Sequence, residues 1–221
     1  MGLCRGKKLI ISRIHITAFV LLAALTWWGT LYLQGINLTS KHLIPFGTVV
    51  SVLAIFWVLF DVWLWKCSIL QGWFIQRPNL QGTWLVELQS DWINPETKAG
   101  IPPITCYMGV EQSLTKLQMH LMTPESESWL IANSIRKSDN GSGYQIVGIY
   151  TNKPDISLRN NRSEMHLGSI SLETHGSKSY PSSLTGEYWT DRKTTGRMDF
   201  KKRVTEIFTR YEDANQADFS K

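Results

Sequence analysis

Cysteine is scarce: Cys4, Cys67 and Cys106 are the only three in 221 residues. An odd, widely spaced set cannot build a disulfide framework and has no metal-ligand spacing, so free thiols in a reducing compartment are expected. The five histidines, His15, His42, His120, His166 and His175, are equally dispersed, which removes the helical zinc motif in which two histidines flank a glutamate. A phosphate-cradling G-x-x-x-x-G-K-[ST] loop is missing, as is the G-x-S-x-G nucleophile elbow. Paired acids such as Glu125 and Glu127 sit in a polar, turn-like stretch and read as solvated charge. These absences argue against an enzyme. No basic run interleaved with aromatic residues is present, so a nucleic-acid polymer is not expected as a partner despite the net charge of +5.

Negative charge is almost absent from the first third. Residues 1–75 hold Arg5, Lys7, Lys8, Arg13, Lys41 and Lys66 against one acid, Asp61. The rest of the chain carries equal numbers of each sign. Residues 14–33 contain no charged side chain, and at 1.5 Å per residue they cover a hydrocarbon core of roughly 30 Å. A second apolar run spans 43–65, and the link QGINLTSKH is too short to fold independently. In hydrocarbon the backbone must satisfy its own hydrogen bonds, so a two-helix transmembrane hairpin is expected. The first run is too long and too bulky for a cleaved signal: Trp27 and Trp28 follow its small residues, and a second span comes soon after. Four basic residues before the first span and Lys66 and Arg77 after the second place both ends in the cytoplasm. Asp61 near the end of the second run has two readings, a hydrated carboxylate at the interface or a helix-packing or pore-lining contact between protomers. Trp27 and Trp28 are expected in the membrane or oligomerisation surface.

From Pro78 onward the pattern changes to short runs of alternating polarity broken by turn residues, the period of a sheet with two unlike faces. Eight strands are expected at 82–90, 105–112, 116–123, 128–137, 143–151, 164–172, 183–191 and 195–204. Turn formers separate them, among them Asn94-Pro95, Pro102-Pro103, Ser138-Asp139-Asn140-Gly141 and Asp191-Arg192-Lys193. Sequential strands with short links form an antiparallel meander. Closing eight of them removes both edges, although a two-sheet sandwich satisfies the same pattern. The architecture expected is an eight-stranded antiparallel up-and-down, lipocalin-like β-barrel over 76–205, followed by a frayed polar tail over 206–221. Gly82-Thr83-Trp84 resembles the Gly-x-Trp that opens lipocalin-like barrels, with Trp84 as an end plug.

Candidate ligand residues follow from facing patterns. Tyr144, Ile146, Gly148 and Tyr150 share one face, as do Gly186, Tyr188 and Thr190, and Gly196, Met198 and Phe200. Glycines beside aromatic rings on an inward face are expected to leave a gap bounded by flat surfaces, in which a planar heterocycle stacks at about 1–3 kcal/mol per base. Plain core packing of the same rings is the competing reading. Hydroxyls and amides at Thr190 and Asn133 supply hydrogen bonds, and Arg192, Thr195 and Arg197 around the last hairpin suit phosphate. With Tyr107 these complete the candidate ligand set.

Two N-terminal spans, the linker Ile75-Gln-Arg-Pro-Asn-Leu-Gln-Gly-Thr-Trp84 and a β-rich domain ending in Gly186-Glu-Tyr-Trp-Thr-Asp-Arg-Lys-Thr-Thr-Gly196 together resemble a CBASS antiphage effector family. Its members are described as SMODS-associated, two-transmembrane, β-strand-rich effectors. The resemblance implies a barrel that binds a cyclic di- or trinucleotide made by a CD-NTase enzyme, with no other cofactor. It further implies homo-oligomerisation through the helices, disruption of the bacterial inner membrane and death of the infected cell. A membrane-tethered barrel carrying an apolar small ligand is the alternative, distinguished by an interior lined only with aliphatic side chains. A structural subunit with a filled barrel is a third.

Overall fold

The computed structural model describes residues 13–36, 40–94, 96–139, 143–158 and 164–220. Cys4, the basic residues Arg5, Lys7 and Lys8, and the turn residues Pro95, Asn140 and Gly141 lie outside this set. The chain divides into two compact units, 1–65 with Ser113–Thr115, and 66–112 with 116–221.

Unit 1 contains α1 (Arg13–Leu33, 21 residues) and α2 (Ser40–Val62, 23 residues). Both apolar runs of the sequence are helical. Neither has an acid in its first turn or a base in its last, so nothing complements the helix macrodipole. Trp28 stacks on Tyr32 with centroids 5.9 Å apart, and Trp57 stacks on Phe60 at 6.2 Å. Much of the apolar surface is bare: Leu21, Leu25, Val52, Ile55, Phe56 and Val58 are all exposed. Many side chains of α1 and α2 fall outside the described residues, among which no helix is long and apolar enough to cross a membrane.

Unit 2 is built on a closed barrel of eight antiparallel strands in sequential order: β1 (Gly82–Ser90), β2 (Ile104–Gln112), β3 (Leu117–Met122), β4 (Ser126–Lys137), β5 (Tyr144–Pro154), β6 (His166–Gly176), β7 (Pro181–Thr190) and β8 (Thr195–Val204). The barrel, not the sandwich, is the outcome. β1 closes on β8 from Thr83↔Val204 to Ser90↔Gly196, with a bulge between Leu85 and Val86 that bends the strand. The weakest seam is β3–β4, paired only at His120↔Trp129, Leu121↔Ser128 and Met122↔Glu127. Past it, Asn133 Nδ2 donates to the Leu117 carbonyl at 3.0 Å, so a side chain continues where the ladder stops.

Alternation sends one side-chain set inward. Val86, Cys106, Met108, Val110, Met119, Ile146, Leu172, Leu184, Met198 and Phe200 form one buried cluster. Trp84, 1% exposed, closes one end: its indole Nε1 donates to Leu80 O at 2.9 Å, its ring meets Phe200 edge-on, and the Arg203 guanidinium lies 4.8 Å from it. The plug expected of Trp84 is present. Gly82 enters the strand at φ 123°, and a Cβ there would lie 2.2 Å from Val204 O. Only glycine fits that start. Cys106 lies in the apolar interior, and burial pushes its thiol up to about 12. It is a packing residue with no nucleophilic character.

The C-terminal segment is not the frayed tail its polarity implied. Phe208, Tyr211, Ala214, Ala217 and Phe219 form a second cluster with Leu85, Tyr107, Met122 and Val204 on the outside of the barrel. Apolar residues at short, irregular spacing escape a helical or strand period, yet one helical turn-and-a-half, α3 (Tyr211–Asn215), gathers them. Thr83 Oγ1 donates to Glu206 O at 2.8 Å and accepts Phe208 N–H at 2.9 Å, which anchors the segment. Its backbone runs so close to β2 that a Cβ on Gly109 would sit 2.7 Å from Phe208 O. Gly109→Ala is therefore expected to lift the segment while leaving the barrel closed. Amide exchange over residues 206–219 should accelerate by about tenfold or more. Unchanged protection there would show that the close approach does not hold the segment.

Candidate functional site

Side chains lie over the inward glycines where a ring-bounded gap was expected. The inward glycines are covered by their neighbours: a Cβ at Gly168 would lie 2.3 Å from Tyr150 Cζ, one at Gly196 2.5 Å from Tyr188 Cε1, and one at Gly148 2.7 Å from Leu130 Cδ2. The rings occupy the space that the missing side chains leave. Alternation places a glycine and a tyrosine on one face correctly, but it carries no information about which way the ring folds. The middle of the barrel is an apolar core, and buried polar side chains lie toward both ends: Gln112, Tyr144 and Thr174 on the Trp84 side, Ser128, Asn152 and Tyr188 on the other.

That end is assembled by register. Ser90 lies opposite Gly196, Gly196 opposite Tyr188, Thr190 opposite Gly168, Gly168 opposite Tyr150, and Asn152 between Ser128 and His166. Tyr150, Tyr188 and Asn152 share the inward parity of Ile146 and Met198. The Ser90 side chain lies near the Tyr188 hydroxyl and favours its ionised form against burial. Two aspartates hold the rim. Asp91 Oδ2 accepts from Thr195 Oγ1 at 2.9 Å while Asp91 N–H donates to Thr195 O at 3.0 Å, tying β1 to β8. Asp191 Oδ2 accepts Leu167 N–H at 3.2 Å while Asp191 N–H donates to Leu167 O at 3.0 Å, tying β7 to β6. The β7–β8 turn is closed by Thr190 N–H to Thr194 O at 2.9 Å and by the two threonine hydroxyls 2.7 Å apart. Lys193 adopts φ 62° in that turn, and Arg192 and Lys193 are exposed on it.

Of the ligand residues expected from sequence, Tyr150, Tyr188, Thr190, Arg192 and Thr195 come together at this end. Three do not. Tyr107 lies on the outer face, where its hydroxyl donates to Asn215 Oδ1 at 2.9 Å and its ring stacks on Phe219 at 5.5 Å. It alternates with the inward Cys106 and Met108, so its parity turns it outward. Arg197 also points outward, 65% exposed, with Nε donating to Asp199 Oδ1 at 3.0 Å. Asn133 is past the β4 bulge and spent on Leu117. Asn152 was missed, although the period-2 count from Tyr150 places it inward and one step nearer the rim.

In unit 1, Trp27 and Trp28 lie in α1, Trp27 with its carbonyl accepting from Thr30 Oγ1 at 2.8 Å. Asp61 Oδ1 accepts Thr115 N–H at 2.9 Å, and its carbonyl accepts Leu114 N–H at 2.9 Å. The acid caps the Ser113–Thr115 turn that belongs to the same compact unit. Among the described residues no group of His, Cys, Asp or Glu could hold a metal ion.

Burial raises both rim phenols above their ordinary value of 10.0, reinforced by Tyr188 and then Asp191 around Tyr150, and by Asp91 beside Tyr188. A phenol kept neutral by the fold ionises first in the unfolded chain. Its contribution is intact below about pH 10 and is lost as pH rises beyond it. Urea unfolding between pH 8 and 12 is expected to show stability falling above about pH 10, with a shallower fall in Tyr150→Phe and Tyr188→Phe. Parallel curves for all three proteins would contradict the buried placement.

The model of a family described as Cap15, cyclic dinucleotide receptor domain, matches residues 75–202. That span contains every strand except the last two residues of β8, and it ends before the C-terminal segment. No curated protein matches the chain.

Proposed function

This chain belongs to the Cap15 cyclic dinucleotide receptor family, and from that premise we propose that it is a membrane effector of bacterial antiphage defence, switched on by a cyclic dinucleotide at the Tyr150–Tyr188 end of the barrel. The observation that carries the reading is the coincidence of the family match with an end of the barrel at which Tyr150, Tyr188, Thr190 and Ser90 share the inward face. Two rings offer stacking surfaces, the Thr190 and Ser90 hydroxyls offer donors and acceptors, and Arg192 and Lys193 on the adjoining turn offer charge to phosphates. The core cluster includes Trp84, Tyr188 and Phe200, so the interior is not lined only with aliphatic side chains, which counts against the carrier alternative.

The helices supply the output. At 1.5 Å per residue, 21 and 23 residues each reach about 30 Å. Their bare Leu, Val, Ile and Phe side chains are an apolar surface suited to lipid and to copies of themselves. In this reading the protein sits in the inner membrane with both ends in the cytoplasm. The messenger, made by a partner nucleotidyltransferase, drives homo-oligomerisation of the helices, and the assembly breaches the bilayer and kills the cell. Thermodynamics sets one condition. The ligand must bind the assembled state more tightly than the monomer, by about 5.5 kcal/mol to carry the equilibrium from 1:99 to 99:1. A ligand indifferent to the two states shifts nothing.

Full-length protein in dye-loaded vesicles of anionic phospholipid is expected to release dye when a cyclic dinucleotide is added and to stay silent without it. In detergent, Tyr188→Ala should weaken calorimetric binding by about tenfold or more, as loss of one stacking face would. Arg192→Ala should weaken it and steepen less with salt. Arg197→Ala, already paired to Asp199, should stay within about twofold. Release that is independent of nucleotide, or an Arg197 effect larger than that of Tyr188, would overturn the assignment.

A further inference from the structure

Asn152 is 8% exposed on the inward face of β5, two residues beyond Tyr150. Its Nδ2 donates to Ser126 Oγ at 3.1 Å and to Ser128 Oγ at 2.9 Å. Its Oδ1 is buried and has no hydrogen-bond partner among the described residues. The orientation of the amide follows from the proton count. Thr123 Oγ1 donates to Ser126 O at 2.9 Å and lies 3.1 Å from Ser126 Oγ, a contact that Ser126 satisfies as the donor. With its proton used there, Ser126 Oγ accepts from Asn152 Nδ2. Both amide hydrogens therefore face the serines, and the carbonyl oxygen faces away.

Leaving a buried carbonyl unmet is costly, and a chain needing only volume at this position could use leucine. The polar trio holds the amide and leaves one acceptor, with no donor to spare, two residues from Tyr150 on the same face of β5. We infer that Asn152 Oδ1 is the base-reading acceptor of the rim, taking an N–H from the edge of a purine that stacks on Tyr150 or Tyr188. The inference rests on the proposed cyclic dinucleotide reading and adds its specificity. The recognised base carries an exocyclic amine or ring N–H at that edge, and a base offering only acceptors there is rejected. Because Oδ1 is closed off in the free protein, the base reaches it where the rim is most weakly held, at the β3–β4 seam beside Ser128.

The test uses full-length protein in detergent and two probes of equal shape, cyclic di-adenosine monophosphate and the analogous cyclic di-purine-riboside monophosphate, which lacks the 6-amino group. Calorimetry on the wild-type protein is expected to favour the amino-bearing probe by about tenfold or more, and Asn152→Leu should bring the two affinities within about twofold of each other. Amide exchange at Ser126–Ser128 and Asn152 should change on binding of the amino-bearing probe. The wild-type comparison needs no variant, so a poorly folded Asn152→Leu leaves the proposal exposed to it. Equal wild-type affinity for both probes, or a preference that survives Asn152→Leu, overturns the role of Asn152 and leaves the functional reading standing. Absence of binding to any cyclic dinucleotide, guanine-containing ones included, overturns the functional reading and this inference with it.

Discussion

Closure of β1 on β8 is the constraint from which the rest of the barrel follows. With eight strands, the ladder can only meet itself if alternate side chains fill a narrow interior, and the apolar set from Val86 to Phe200 does so. Filling has a directional consequence. Bulky Trp84 and Leu80 consume the space at one end, where the chain enters at Gly82 and leaves at Val204. At the other end the inward positions become glycine, serine, asparagine and tyrosine, residues that complete the wall without completing an oil-like core. The Trp84 end has its own polar residues, Gln112, Tyr144 and Thr174, but Gln112 and Thr174 are spent on backbone groups there.

Most of this barrel is legible in the sequence because its signal is periodic. β1 and β8 begin and end where alternation and turn residues put them, and among the described residues no strand is missing or added. Termini near bulges or weak pairing moved: β4 begins earlier and β6 runs longer than polarity alone implies. What alternation could not reveal is anything decided by a contact across the fold. The C-terminal segment reads as solvated until the outer faces of Leu85, Tyr107 and Met122 are seen to need a cover. Ring conformation is another case, since the tyrosines fold over Gly168 and Gly196 and do not frame an opening.

The site was partly legible for the same reason. Tyr150, Tyr188 and Thr190 were placed by parity and are gathered at the rim by register, whereas Arg197 was chosen for its charge and Tyr107 for its ring, against their parity. Asn152 obeyed the parity rule and lacked a conspicuous chemical label. Its significance lies in an unmet oxygen, which is visible only when every proton around Ser126 is counted. In unit 1, Asp61 shows how an isolated acid in an apolar run can have a local task, here capping backbone amides of Leu114 and Thr115.

The central claim is spatial: the messenger occupies the tyrosine-bearing rim, leaving the packed middle, the Trp84 end and the outer face under the C-terminal segment untouched. Photo-crosslinking of the full-length protein with an azido-purine cyclic dinucleotide, followed by peptide mapping, tests it directly. Label is expected on peptides carrying the Tyr150–Asn152 end of β5 and the Tyr188–Thr190 end of β7, and competed away by unlabelled ligand. Competable label concentrated on the Gly82–Trp84 start of β1 or on residues 206–220 would contradict the account.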